Sequence, residues 1–520
     1  MARSWEEAIA EVEVQRENNR KMGGAAAIQK LHERGKLTPR ERIAKLLDPM
    51  SFHEIGGLAE GIIRVSGRED RPAAGDAVVC GWGRVDGRQV FVVADDGSVT
   101  AGARGPAGMR KAEYIVNRAR KRNRPCVLLL ESSALRMQEQ MGARFADMTP
   151  FGGFWDRAGK VPVICGVMGT ALGAASFRTM NADFSTMTLG TASMMLAGPP
   201  MVAKGTGEDI TVHELGGAAI HASKTGFVDY VAADETENLQ TIRTVLSYLP
   251  DSCGSLPPRV LRGDPPGRAV HELTDIVPLN HRKPYDMHRV IGAIVDNGEF
   301  LEIRARFAKN IVVGLARLDG HSVGILANQP NHMGGIVDPK GARKAVRFLQ
   351  LCDAYHIPVI VLQDQPGFLI GSQSESEGAL NEVVRLMNTI SSMSTAMLTV
   401  TVRKAYGFSM QLLGGGRFLQ EQDFVGAWPS ASISLAGPEL AVQTLLAREE
   451  KSGQLDSQRR ERIYAGYREL SRARHAAYSF GIDELLAPSE TRKVLCRVLE
   501  MTRWGPFTGS RDCGRHVDPP

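Results

Sequence analysis

Two glycine turns, one in each half of the chain, are the residues best placed to do chemistry. The first reads Ala-Leu-Gly-Ala-Ala-Ser (Ala171–Ser176) and the second Ala-Tyr-Gly-Phe-Ser-Met (Ala405–Met410). Each closes an apolar run and opens a segment of helical character. The first backbone N–H groups of such a helix lack internal partners and face outward beside a positive dipole end. Small residues there let a carbonyl oxygen approach the backbone, where the N–H groups stabilise an enolate or oxyanion developing on it. A glycine after a strand also serves merely to make a turn or a tight helix–sheet contact, and one short glycine pattern is weak by itself. Its recurrence at the same point of both halves favours the functional reading. The side chains offer no competing chemistry: no Gly-x-Ser-x-Gly, His-Glu-x-x-His or P-loop lysine pattern occurs. His221 is isolated and reads as a packed or capping histidine. Glu131 and Asp364 end matching strands in different halves, so they read as orienting or capping carboxylates, not a glycosidase pair. A chemistry that needs no protein acid, base, nucleophile or metal fits this inventory.

The elements that must position these turns are written twice. Asp86, Gly87, Ala94, Arg110, Lys111 and Pro125 recur as Asp319, Gly320, Ala327, Arg343, Lys344 and Pro358, each 233 residues further on, and Glu131 answers Asp364. The offset grows by one at Ala171 and Gly173, which match Ala405 and Gly407, and AGPP (Ala197–Pro200) later answers AGPE (Ala436–Glu439). A unit of this length is a domain, since solenoid repeats run to about 20–50 residues. Within each half, apolar runs rich in branched residues (PCVLLLE, PVIVLQD) alternate with helical segments (GMRKAEYIVNRARKRN, ARKAVRFLQLCDAYH). Buried, non-alternating strands separated by helices predict a parallel sheet covered by helices. Residues 4–34 predict an N-terminal helical arm. Thr38–Pro49 predicts a short helix with a Thr cap, Pro at its first position and a Pro stop. The domains expected are residues 1–255 and 286–520, joined by a Pro/Gly-rich linker over 256–285, with a loose polar tail at the end.

Composition narrows the class. A chain of 520 residues exceeds one ordinary core, and 43% hydrophobic with 23% charged residues is typical of globular domains. A net charge of +5 is too small and dispersed to argue for nucleic acid, and Arg118–Arg124 reads as a solvated helix end. Seven cysteines without a CxxC pair support neither a zinc ribbon nor a disulfide framework. The polar, amphipathic start is unlike a signal peptide, and no apolar run approaches the roughly 20 residues a membrane span requires. A cytoplasmic protein without a membrane segment is expected.

Longer stretches carry a resemblance. RERIAKLLDP (Arg40–Pro49), HELGGAAIH (His213–His221), YDMHRVIGAIVDNGEFLEI (Tyr285–Ile303), the run Phe307–Pro330, AWPSASISLAGPE (Ala427–Glu439) and PSETRKVL (Pro488–Leu495) are its main segments. Over nearly its whole length the chain resembles the carboxyltransferase (β) subunits of biotin-dependent acyl-CoA carboxylases, of the propionyl-CoA and acetyl-CoA carboxylase type. The resemblance implies an α/β fold of two tandem crotonase-like domains and ring-shaped homo-oligomers, often hexamers. It implies an acyl-CoA site in the N half facing a biotin site in the C half of a dimer partner. In the implied reaction, carboxybiotin on a separate carrier releases CO2, and its ureido oxyanion is held by amides of the C half. The biotin nitrogen then removes the α-proton of the coenzyme A thioester, whose enolate, held by amides of the N half, attacks CO2. Matched residue by residue, the N-half pair falls on Gly173 and Ala174 and the C-half pair on Phe408 and Ser409. Substrate contacts fall on Ser133, Ala134, Arg136, Gly407 and Gln411, the last in the acyl pocket. With no Met-Lys-Met biotinylation sequence and no ATP-binding segment, the chain needs a biotin carboxylase/biotin carrier (α) subunit as partner.

Several positions depart from the family. Where members carry Asp-Ser-Gly-Gly-Ala-Arg, this chain has Glu131-Ser132-Ser133-Ala134-Leu135-Arg136, and Gly-Gly in the N half becomes Gly173-Ala174. In the C half, Gly-Gly-Ala-Tyr becomes Gly407-Phe408-Ser409-Met410, and Gln411 replaces an aspartate or small apolar residue. Phe408 adds a large ring where a ligand should approach and cannot adopt positive φ cheaply. The substitutions leave room for two alternatives: a biotin-independent acyl-CoA decarboxylase or other thioester-enolate enzyme, and a non-catalytic partner subunit.

Overall fold

The structure is a computed structural model and describes residues 4–63, 69–133, 136, 142–147, 159–414, 422–451 and 456–502. It divides into two compact units, the first ending at Leu256 and the second beginning at Pro257. The sheet of the first unit runs, edge to edge, His53–Glu54, Val78–Val85, Arg88–Asp95, Cys126–Ser132, Val163–Leu172, Phe184–Thr188 and Tyr230–Ala232, with Ser193–Met195 also beside Val163–Leu172. The second unit repeats this order with Phe300–Ile303, Ile311–Leu318, His321–Asn328, Val359–Gln365, Met397–Tyr406, Phe424–Ala427 and Glu484–Leu485, and Ser432–Ser434 beside Met397–Tyr406.

The duplication read from the sequence is reproduced in register. Phe91 to Ala94 pair with Cys126 to Leu129, and Gly324 to Ala327 pair with Val359 to Leu362. Both ladders slip at the same place, between Leu130 and Ser132 in one unit and between Gln363 and Gln365 in the other. The sheets are mixed, not parallel as expected: the first two pairings of each are antiparallel. The cause is the Asp-Gly pair within the repeat. Asp86 and Gly87 have φ of 50° and 78°, and Asp319 and Gly320 have 51° and 75°, which closes a two-residue hairpin whose twist suits the strands. Asp48 and Asp296 accept the amides of these turns, at 2.8–3.0 Å and 2.7–3.0 Å.

The helices Pro106–Lys121 and Pro339–Ala354 are one repeat apart and are fastened identically. Lys111 Nζ donates to Gly75 O and Val78 O (3.0 and 2.7 Å); Lys344 Nζ donates to Phe307 O and Ile311 O (2.9 and 2.7 Å). Burial lowers both ammonium pKa values, that of Lys344 to about 7. The helix Pro39–Leu46 has the expected Thr38 cap, completed by Glu41 as a capping box. The N-terminal arm is two helices, Trp5–Arg20 and Ala25–Glu33, because Gly24 at φ 84° interrupts it. The stretch 256–285, expected as a linker, is packed into the second unit: Val270, Leu273, Ile276, Val277 and Tyr285 are buried among strand residues such as Val312, Ile325 and Leu398. Its prolines and glycines break helices but leave these five side chains in the core, while Leu261 and Leu279 stay exposed. The expected loose tail falls in residues 503–520, outside the described residues. Among the described residues, no helix is long and apolar enough to cross a membrane, and the six cysteines are free and buried.

Candidate functional site

Each glycine turn leaves the long fifth strand of its sheet. In the first unit Val163–Leu172 ends at Gly173 (φ 54°, ψ −115°), and the helix Ala174–Met180 begins. In the second, Met397–Tyr406 ends at Gly407 (φ 72°), and Phe408–Leu412 begins. Both glycines occupy the left-handed region that a side chain resists. A Cβ on Gly173 would meet nothing within 4 Å, and one on Gly407 only Leu435 O at 3.7 Å, so both turns leave open space above the backbone. The helices are seven and five residues long, too short for a macrodipole to matter much; individual amides carry what electrostatics there is.

Those amides are not all available. The Gly173 N–H donates to Met195 O at 3.2 Å, and the Gly407 N–H donates to Ser434 O at 3.0 Å. Gly173 was expected to supply a donor outward, but its amide instead extends the ladder between Val163–Leu172 and Ser193–Met195, where Leu172 pairs with Met195. The next residue is reachable in each unit: Ala174 is half-buried and Phe408 is 40% exposed. The Ala174 amide has no hydrogen bond to any described residue. One position further, Ala175 and Ser409 are buried. The Ser409 hydroxyl lies 2.7 Å from Gln365 Oε1 and 3.0 Å from Tyr406 O, so its single proton ties the turn to one of them at a time. By the repeat, the equivalent of the Phe408–Ser409 pair is Ala174–Ala175, one residue on from the pair expected in the N half.

The other predicted residues separate. Ser132 pairs with Ala171, so Ser133 leaves the strand end beside the Gly173 turn, exposed, its N–H bonded to Ala101 O at 3.1 Å. Arg136 is buried in an ion pair with Asp76, whose other oxygen accepts the Gly108 amide at 2.8 Å. Ala134 lies outside the described residues. Gln411 Oε1 is buried and accepts no hydrogen bond from the described residues.

The carboxylates hold the scaffold under each turn. Glu131 takes Lys36 at 2.8 Å and the fully buried Arg42 at 2.6 Å, and Arg42 also grips Glu235 at 2.7 Å. Burial would raise the Glu131 pKa, but Arg42 and Lys36 hold it below its ordinary value. Asp364 takes Arg403 at 3.0 Å, and Arg403 donates onward to the carbonyls of Asn280 and Lys283 at 3.1 and 2.7 Å. Their amides are held alike: Glu131 N–H donates to Asp95 (3.1 Å) and Asp364 N–H to Asn328 (3.2 Å). His221 is a packed histidine, with Nε2 2.8 Å from Met194 O, Nδ1 3.2 Å from Thr225 Oγ1, and a pKa lowered by burial. It secures the strand whose next carbonyl, Met195 O, takes the Gly173 amide. That carbonyl and its counterpart Ser434 O were missed in the sequence, although the AGPP and AGPE repeats begin two residues after them.

Two mixed sheets related by duplication, each with a glycine turn at the end of its fifth strand, are the arrangement of the crotonase-like class. Residues 30–508 match the carboxyl transferase domain family. The carboxyltransferase subunit of propionyl-CoA carboxylase from Haloferax mediterranei is 36% identical over 501 residues, covering 96% of this chain and 97% of that one. The β5 subunit of the biotin-dependent acetyl-/propionyl-coenzyme A carboxylase of Mycobacterium tuberculosis is 34% identical over 505 residues, covering 95% and 92%. A transcarboxylase 12S crystal structure, a hexamer with methylmalonyl-coenzyme A and methylmalonic acid bound, superposes with a TM-score of 0.91 at 33% identity, covering 100% and 99%. The chain therefore belongs to the carboxyl transferase domain family, and it is a carboxyltransferase of the biotin-dependent acyl-CoA carboxylase type.

Proposed function

We propose that this chain carries the carboxyl group to the α-carbon of a short acyl-CoA, with the first unit holding the acyl thioester and the second the carboxyl donor. Carboxybiotin, on a separate carrier subunit, supplies the carboxyl group. The observation that carries the reading is the Ala174 amide: half-buried, unpartnered among the described residues, and fixed at the open end of a glycine turn. A thioester oxygen placed there receives that hydrogen bond most strongly as it becomes an enolate oxygen, which is the condition for lowering the barrier rather than the ground state. Ser133, at the neighbouring strand end, bounds the same opening.

In the second unit the Gly407–Ser409 turn fits a ureido oxygen at its backbone, with the Phe408 ring as one wall of the approach. The ring stands partly in water instead of filling the turn, so it narrows the donor site without closing it. Gln411 Oε1 accepts a hydrogen bond from bound substrate, which relieves its unpaired burial. The working assembly is a homo-oligomer, a hexamer in this reading, served in the cytoplasm by a biotin carboxylase and carrier subunit. Purified protein is given a carboxylated biotinyl carrier with acetyl-CoA or propionyl-CoA, and label is followed into the carboxylated thioester. Transfer is expected. Absence of transfer, with decarboxylation of methylmalonyl-CoA in the absence of biotin, would replace this reading by the biotin-independent one; co-purification with an active homologue and no turnover would replace it by the partner-subunit one.

A further inference from the structure

The glycine turn of the second unit is tied down by two glutamines that have no counterpart in the first. Gln363 and Gln365 stand two residues apart at the end of the strand Val359–Gln365, and both are fully buried. Asp364, between them, is engaged with Arg403. Gln365 Nε2 donates to Tyr406 O at 3.3 Å, and its Oε1 accepts the Ser409 hydroxyl at 2.7 Å. A carbonyl oxygen only accepts, so Tyr406 O decides which end of the carboxamide carries the hydrogens. One side chain thus joins the residue before Gly407 to the residue after Phe408. Gln363 adds a second tie: its Nε2 donates to Met410 O at 3.0 Å, and its Oε1 accepts Thr401 Oγ1 at 3.2 Å.

The repeat supplies a control. Gln363, Gln365, Thr401 and Ser409 correspond to Leu130, Ser132, Val167 and Ala175 in the first unit, and all of these but Ser132 are apolar. A strand, a turn and a short helix form there too, with a glycine at positive φ whose amide joins the same ladder. Building the fold therefore does not call for the carboxamides. Burying polar side chains is costly unless each finds its partners, and these find them in the turn and in one another. A satisfied buried network rigidifies what it holds. What it holds is the backbone on both sides of Phe408, so the direction of that residue's ring and amide is set before any ligand arrives. Donors fixed in advance stabilise a developing oxyanion without reorganising during the reaction.

We propose that Gln365, supported by Gln363, is a positioning residue for carboxyl transfer: it holds the Gly407–Ser409 turn in the shape that receives the carboxyl donor. The inference rests on the reading that the second unit takes that donor. Full-length Gln365→Met and Ser409→Ala variants are compared with the wild type, using a carboxylated biotinyl carrier and propionyl-CoA, each varied against saturating amounts of the other. In Gln365→Met the Ser409 hydroxyl, 3.0 Å from Tyr406 O, bonds there instead, so the fold survives loss of the bridge. KM for the carrier should rise by roughly tenfold in each variant, the upper range for one lost hydrogen bond, while KM for propionyl-CoA does not move. The double variant should be little worse than either single one, because both break the same bridge. A merely structural role lowers kcat through the active fraction and shifts neither KM. An unchanged carrier KM in both variants therefore overturns the proposal and leaves the donor reading standing. A rise in the propionyl-CoA KM alone, or a wild type that transfers nothing, overturns the donor reading and the proposal with it.

Discussion

The turns at Gly173 and Gly407 share a backbone and differ at the one position that faces outward. Each glycine gives its amide to a neighbouring strand, and each second residue is buried. Between them stands Ala174 in the first unit and Phe408 in the second. A methyl group leaves the amide open to any small acyl thioester; a benzyl ring obliges a ligand to slide past it. The duplication has thus kept the positive-φ glycine and its ladder bond and changed the side chain beside it.

The largest way to sharpen the comparison lies beneath the turns. Arg42 serves two buried carboxylates, Glu131, which keeps Lys36 at 2.8 Å, and Glu235, whereas Arg403 serves one, Asp364, which keeps Lys404 at 3.7 Å. Arg42→Ala should cost about 3–5 kcal/mol in denaturant unfolding, because uncompensated buried charge remains. Arg403→Ala should cost less, and equal losses would mean that the second carboxylate adds nothing. Phe408→Gly acts next: if the ring is the gate, affinity for a biotin probe should rise by roughly tenfold, about 1.4 kcal/mol, with acyl-CoA affinity unchanged. Unaltered biotin affinity would remove the ring from the account.

The smallest effects are in pH. His288 sits between Asp286 (2.7 Å) and Glu302 (2.9 Å); its bond to Glu302 leads in raising its pKa from 6.5 to about 9. Its contribution is complete below pH 6.5 and is lost as pH rises toward 9, by under about 1 kcal/mol given its exposure. His221, lowered by burial, has the opposite sign and weakens the fold as pH falls below 6.5. Tm measured against pH should flatten on the alkaline side for His288→Gln and on the acid side for His221→Gln.

Most of the architecture was legible because the repeat survives at residues with backbone duties. Lys111 and Lys344 hold main-chain carbonyls, Asp86-Gly87 and Asp319-Gly320 make the hairpin turns, and the strand-end Glu131 and Asp364 hold buried arginines, so the duplicated letters mark duplicated geometry. The antiparallel start of each sheet was written in the same Asp-Gly pairs, whose hairpin meaning went unread. What could not be read was which amides remain after the sheet has taken its share. Gly173 looks like a donor in one dimension and proves to be a ladder residue, because Met195 arrives beside it from a later strand. The Asp76 partner of Arg136 likewise comes from a distant part of the sequence.

The central claim is that the Ala174 amide holds the developing enolate oxygen. Ala174→Pro removes that N–H at the first helical position, where proline is tolerated, while Ala174→Gly keeps it. With saturating acyl-CoA and a carboxylated carrier, kcat should fall by about 10²–10³ for the proline variant and stay within a few-fold for glycine. Equal rates in the two variants, both folded, would contradict the account.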